Sequence, residues 1–269
     1  MTCSQDGQCT CAVDSETVAG YLRFAVTWPD NLGVQAGSGV VHLWTRNLIT
    51  YNGGAFSSQF AICGVDIPDL TFTPIAGGGK LKFDIPEATF ELTSPPMPLL
   101  TQGGSSEGFH AGAAFVATQS VSLLGCTLAD PSAAWPASRS QISSRDDDGD
   151  VKPGLTAQNR NGNGYVYPKT SILGNARADK MYLAARVIFS LNGTRQTCTT
   201  AGGTATVPAF NYHVVGCHVS GGADCDASQA DVVDGFSPVM SPGSGSWKSV
   251  RVPVAASCAQ VRAALPLVP

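Results

Sequence analysis

Five consecutive residues near the middle of this 269-residue chain, Asp146-Asp147-Asp148-Gly149-Asp150, concentrate hard oxygen donors in one short stretch. Calcium takes about six to eight oxygen ligands, and Asp at every second position of a tight loop turns carboxylates toward one point. Asp146, Asp148 and Asp150 are therefore candidate ligands of a structural calcium ion. The competing reading is a solvated acidic loop, since charge runs usually are no more than that. A second run, Asn159-Arg160-Asn161-Gly162-Asn163-Gly164, offers neutral amide oxygens and so a weaker site.

The first run resembles the DxDxD core of EF-hand-like and thrombospondin-type calcium loops. Val151 stands where the turn glycine of an EF-hand belongs, and Ala157 where its bidentate Glu would be. The second run keeps a turn glycine at Gly164 but ends on Thr170. The resemblance implies a calcium site of modest affinity and structural role.

Other constellations are weaker. His213 and His218 flank Cys217. On a regular strand 213 and 218 point to opposite faces, which argues against a shared transition metal. Gly104-Ser105-Ser106-Glu107-Gly108 matches the G-x-S-x-G elbow of α/β-hydrolases, yet no alternation of strands with amphipathic helices surrounds it, so a flexible Gly/Ser loop is expected. Glu is scarce (Glu16, Glu87, Glu91, Glu107) and no carboxylate pair of glycosidase type stands out. No catalytic residue is assigned and no organic cofactor signature is present. Around Cys225, Asp224, Asp226, Asp231 and Asp234 read as a loop clamped by a disulfide. The four tryptophans, Trp28, Trp44, Trp135 and Trp247, are expected in a β core rather than on a binding platform.

The elements that must position these residues follow a period of two rather than 3.6. In Tyr21-Leu22-Arg23-Phe24-Ala25-Val26 and Lys80-Leu81-Lys82-Phe83-Asp84-Ile85 apolar residues alternate with polar ones, as on a half-buried strand. Residues 40–51 and 55–65 flank Asn52-Gly53-Gly54 and form the strongest hairpin signal; Asn192-Gly193 reads as a second turn. Strands are also expected over 88–93, 114–124, 181–191, 204–207, 212–219 and 246–254, and a helix over 257–265. Leu22, Phe24, Leu43, Leu81, Phe83, Ile85, Val187, Phe189 and Val215 should face inward.

These patterns imply an all-β fold, an antiparallel barrel or sandwich of one domain over 17–269, preceded by a flexible segment over 1–16. Similar strings, such as 21–26 and 182–187, raise an internal duplication, with half-repeats 17–126 and 165–265 joined by an Asp/Asn/Gly-rich connector over 129–169.

Charged residues make up only 13% of the chain and the net charge is −4, with no basic patch, so nucleic-acid binding is set aside. No apolar run is long enough for a transmembrane helix. Nine dispersed cysteines point to disulfides, with most of Cys9, Cys11, Cys63, Cys126, Cys198, Cys217, Cys225 and Cys258 expected to pair. The remaining one lies in Met1-Thr2-Cys3-Ser4, which resembles the mature start of a bacterial lipoprotein and implies a lipid anchor at Cys3. The expected function is an exported cell-envelope or secreted protein that binds an apolar small molecule, a lipid or a surface partner; the alternative is an extracellular hydrolase with a loop-built active site.

Overall fold

The computed structural model describes residues 2–3, 9–10, 13–81, 83–92, 100–159 and 177–267. Eight strands form its frame: β1 (Ser15–Trp28), β2 (Gly37–Asn52), β3 (Ala55–Asp66), β4 (Leu100–Ser106), β5 (Ala114–Leu124), β6 (Ala178–Arg195), β7 (Thr200–Val219) and β8 (Ser241–Arg251). Each pairs antiparallel with the next, and β8 pairs with β1, so the sheet closes into an up-and-down barrel. Closure leaves these strands without a free edge. Two short strands, Leu155–Asn159 and Phe83–Asp84, extend the sheet beside the first half of β6.

Alternation explains the inside. Leu22 pairs with Leu43 and Phe24 with Val41, all buried, while the intervening Arg23 and His42 lie on the other face. This apolar-inside arrangement is the reverse of a membrane barrel, which turns its apolar face to lipid. No described helix is long and apolar enough to cross a membrane.

The outer face is covered where α3 (Cys258–Ala264) lies across β2 and β3. Ser257 caps that helix in a box with Gln260. Trp44 Nε1 donates to the Leu265 carbonyl at 2.8 Å, and a disulfide joins Cys63 to Cys258. Cys217 and Cys225 form a second disulfide, and Cys198 is also disulfide-bonded. Such bonds belong to an extracellular or otherwise oxidising compartment.

Several local expectations change. Ala88 lies in a short helix, α1 (Glu87–Leu92), rather than in a strand. Asn192-Gly193 is not a turn: Asn192 pairs with Thr204 and Gly193 with Gly203 inside the β6–β7 ladder. A Cβ on Gly193 would come within 2.2 Å of the Gly202 carbonyl oxygen, so this glycine permits close approach of two strands. Val215 is half-buried while Val214 is fully buried, because a bulge in β7 skips one residue and exchanges the faces beyond it. Cys126 is free and buried, and burial pushes its thiol up to about 11. The side chains of residues 1–12, including the anchor position Cys3, and residues 160–176 of the second Asn-rich run lie outside the described residues.

Candidate functional site

The barrel has two unlike ends. Near the β2–β3 turn, where Gly53 and Gly54 adopt positive φ angles of 57° and 91°, the inward positions carry charge. Glu16 accepts hydrogen bonds from Tyr51 Oη at 2.5 Å, Arg195 at 2.6 Å and Arg251 Nε at 2.8 Å. Burial alone would raise the Glu16 pKa, but these donors hold it below the usual carboxylate range. The Arg195 guanidinium also lies 4.5 Å from the Phe109 ring centroid, so an aromatic side chain caps this end.

The opposite end is apolar. Phe24, Val41, Leu43, Val187 and Phe210 project from the barrel wall around a cavity of about 60 Å³. Its roof comes from outside the ring: Leu70, Phe72, Phe83 and Ile85 lie between β3 and β4, and Ser237, Pro238 and Met240 between α2 (Ala227–Gly235) and β8. Alternation places Phe24, Leu43 and Val187 correctly from sequence, while Val41 and Phe210 are not among the residues expected inward. The roof residues 237–240 carry no periodic pattern and are missed. A second, smaller cavity of about 50 Å³ lies deeper, among Phe56, Phe115, Trp247 and Gln102. Phe56 and Phe115 stack there at 4.7 Å, so the barrel centre is largely filled.

The acidic run immediately precedes the short strand Leu155–Asn159, which pairs with the first half of β6. Asp146, Asp148 and Asp150 each present a carboxylate oxygen within 4.8 Å of the others. Asp146 accepts from the Gly149 and Val151 amides at 2.7 and 2.8 Å. Asp148 accepts from the Thr156 amide at 2.8 Å, and Asp150 from the Thr156 hydroxyl at 2.6 Å. The other Asp148 oxygen is buried without a hydrogen-bond partner. Burial, with the Asp150 and Asp146 charges beside it, pushes the Asp148 carboxyl up to about 6. Val151 has φ 67°, a left-handed conformation that is unusual for a β-branched residue. It is the position where a calcium loop places glycine. The remaining acid, Asp147, faces away, bound to Arg145 and to the Gly125 amide. Leu155, directly after this loop, reaches the wall of the apolar cavity.

The acids around Cys225 do not converge. Asp224 accepts from Lys152 and Tyr182, Asp226 caps α2, Asp231 pairs with Arg139 and Asp234 with His213. His218 pairs with Asp179 at 2.7 Å, away from His213. Ser106 ends β4 with its hydroxyl donating to the Gly108 carbonyl at 3.1 Å. Three tryptophans, Trp28, Trp44 and Trp247, are buried as expected. Trp135 is different: it stacks on His213 at 5.7 Å in a surface cleft, an arrangement that sequence spacing of 78 residues gives no means of finding. No family model, curated protein or solved structure matches the chain.

Proposed function

We propose that the protein is an exported binding protein, secreted or held in the cell envelope, that takes an apolar small molecule, or the apolar group of a lipid or surface partner, into the uncharged end of its barrel. The observation that carries this reading is the cavity of about 60 Å³ walled by aliphatic and aromatic side chains, at the end opposite the Glu16 cluster. Closed barrels of this strand number commonly hold one small ligand. An engineered apolar cavity of about 150 Å³ takes benzene. The smaller cavity here suits a short alkyl chain or a single apolar side chain, and a larger guest needs the roof to yield.

A calcium ion at Asp146, Asp148 and Asp150 supports this role structurally. It would neutralise three crowded carboxylates and tie Thr156 to the loop, holding Leu155 against the cavity wall. A lipid at Cys3 would tether the barrel to a membrane.

Titration calorimetry with alcohols from butanol to octanol tests the ligand reading. Affinity should rise with chain length, by about 0.8 kcal/mol per buried methylene, until the cavity is full. Ala185→Leu, which adds volume at the cavity wall, should abolish the heat with little change in melting temperature. Absence of heat with every alcohol in the native protein overturns the reading.

A further inference from the structure

The segment 236–240 separates two spaces. On its inner side is the apolar cavity; on its outer side is a surface cleft of about 310 Å³, walled by Trp135, Asn211, His213 and Asp234. Phe210, Tyr212, Ser237, Pro238 and Met240 face both. The partition is one layer of chain thick. It is bolted by the Tyr212 hydroxyl, which donates to the Pro238 carbonyl at 2.8 Å, while Pro238 has no amide proton to give.

Among the described residues, the charged groups of the cleft are paired and one buried side-chain donor is not. His213 is engaged by Asp234 at 2.9 Å and by the Pro136 carbonyl at 3.0 Å. Arg186, 5.3 Å from the Trp135 ring centroid, donates to Asn211 and to the Pro131 and Ala133 carbonyls. The indole N–H of Trp135 is buried and has no acceptor. A buried donor without a partner is costly, and a ligand that supplies an acceptor recovers that cost. Because the charged groups are already paired, the complementary group is neutral: a hydroxyl, ether or carbonyl oxygen.

We propose that cleft and cavity are the two halves of one site for an uncharged amphiphile. Its polar head accepts the Trp135 N–H in the cleft, and its alkyl tail passes the 236–240 partition into the barrel. The proposal rests on the apolar-ligand reading above and adds the head-group chemistry and the route of entry. It also resolves a mismatch of size, since displacing the partition joins a small cavity to a larger one.

Octyl glucoside below its micellar concentration, octanol and glucose serve as probes in calorimetry, with indole emission followed in parallel and the Trp135 part taken as the difference from Trp135→Phe. The glycoside should bind more tightly than octanol and shift the emission, and glucose alone should bind weakly. Trp135→Phe keeps an aromatic ring on His213 and removes the N–H together with one ring of the indole. It should weaken the glycoside by roughly three- to tenfold and weaken octanol, which offers only a single hydroxyl, no more than the glycoside, with an unaltered melting curve as the check on folding. Octanol that binds while the glycoside binds no better, or a glycoside affinity that Trp135→Phe does not touch, overturns this proposal and leaves the cavity reading standing. Failure of both ligands to bind removes the two together.

Discussion

An imidazole with an acceptor on each ring nitrogen must carry two protons to satisfy both. His213 is placed in this way, between the Asp234 carboxylate and the Pro136 carbonyl. Burial disfavours its charge, but the bonds to Asp234 and Pro136 outweigh burial and raise its pKa above the ordinary value. A raised folded-state pKa adds stability that is fully present below the unfolded value of about 6.5 and is lost as pH rises through the folded one. The melting temperature of the native protein should therefore fall, relative to His213→Gln, as pH is taken from about 6 to 9; parallel curves would contradict it. The proposed calcium site is tested at the same scale. At a calcium concentration about ten- to thirtyfold above Kd, binding adds about 1–2 kcal/mol of stability. Millimolar calcium should raise the melting temperature of the native protein and not of Asp148→Asn, as differential scanning fluorimetry with chelator controls would record. The grouping of Asp146, Asp148 and Asp150 was legible because the three carboxylates are local in sequence. The bonds from Asp148 and Asp150 to Thr156 were not, because they depend on how the loop folds back.

At the scale of elements, the C-terminal helix is the clearest case of local and tertiary terms acting together. Seven residues, Cys258–Ala264, are too few to be stable as an isolated helix. The Ser257 and Gln260 box satisfies its first amides, Val261 is buried, and the Cys63–Cys258 disulfide closes a loop with a sequence separation of 195. Replacing both cysteines with alanine should cost about 2–5 kcal/mol in denaturant unfolding. Near-native stability of the double variant would mean that packing alone holds the helix. The β2–β3 hairpin was legible for a related reason: Gly53 and Gly54 accept the positive φ that a two-residue turn requires. Asn192-Gly193 carries the same signal and forms no turn. Its glycine is used where two strands approach too closely for a Cβ, and the chain reverses farther on, at residues 196–199. The strands expected separately over 204–207 and 212–219 are one strand, β7, and Pro208 is accommodated inside it at a register shift that leaves its missing amide unneeded.

At the scale of the whole molecule, the ring of eight strands converts an alternating pattern into an enclosed interior with a charged end and an apolar end. The sequence by itself determined the strand-rich class, most inward-facing residues, the terminal helix and the acidic loop. Each depends on residues a few positions apart, where side-chain period, turn conformation and capping act. Barrel and sandwich share that local grammar, and only the pairing of β8 with β1 and of β5 with β6 distinguishes them. The contacts that give the ends their character are likewise distant: Glu16 meets Arg195 across 179 positions and Arg251 across 235. Bulges such as the one at Val215 exchange the inner and outer faces beyond them, and free Cys126 follows from geometry that cysteine counting does not see. Long-range closure decides these features because they are fixed by which strand becomes a neighbour, a quantity to which local pattern is nearly blind.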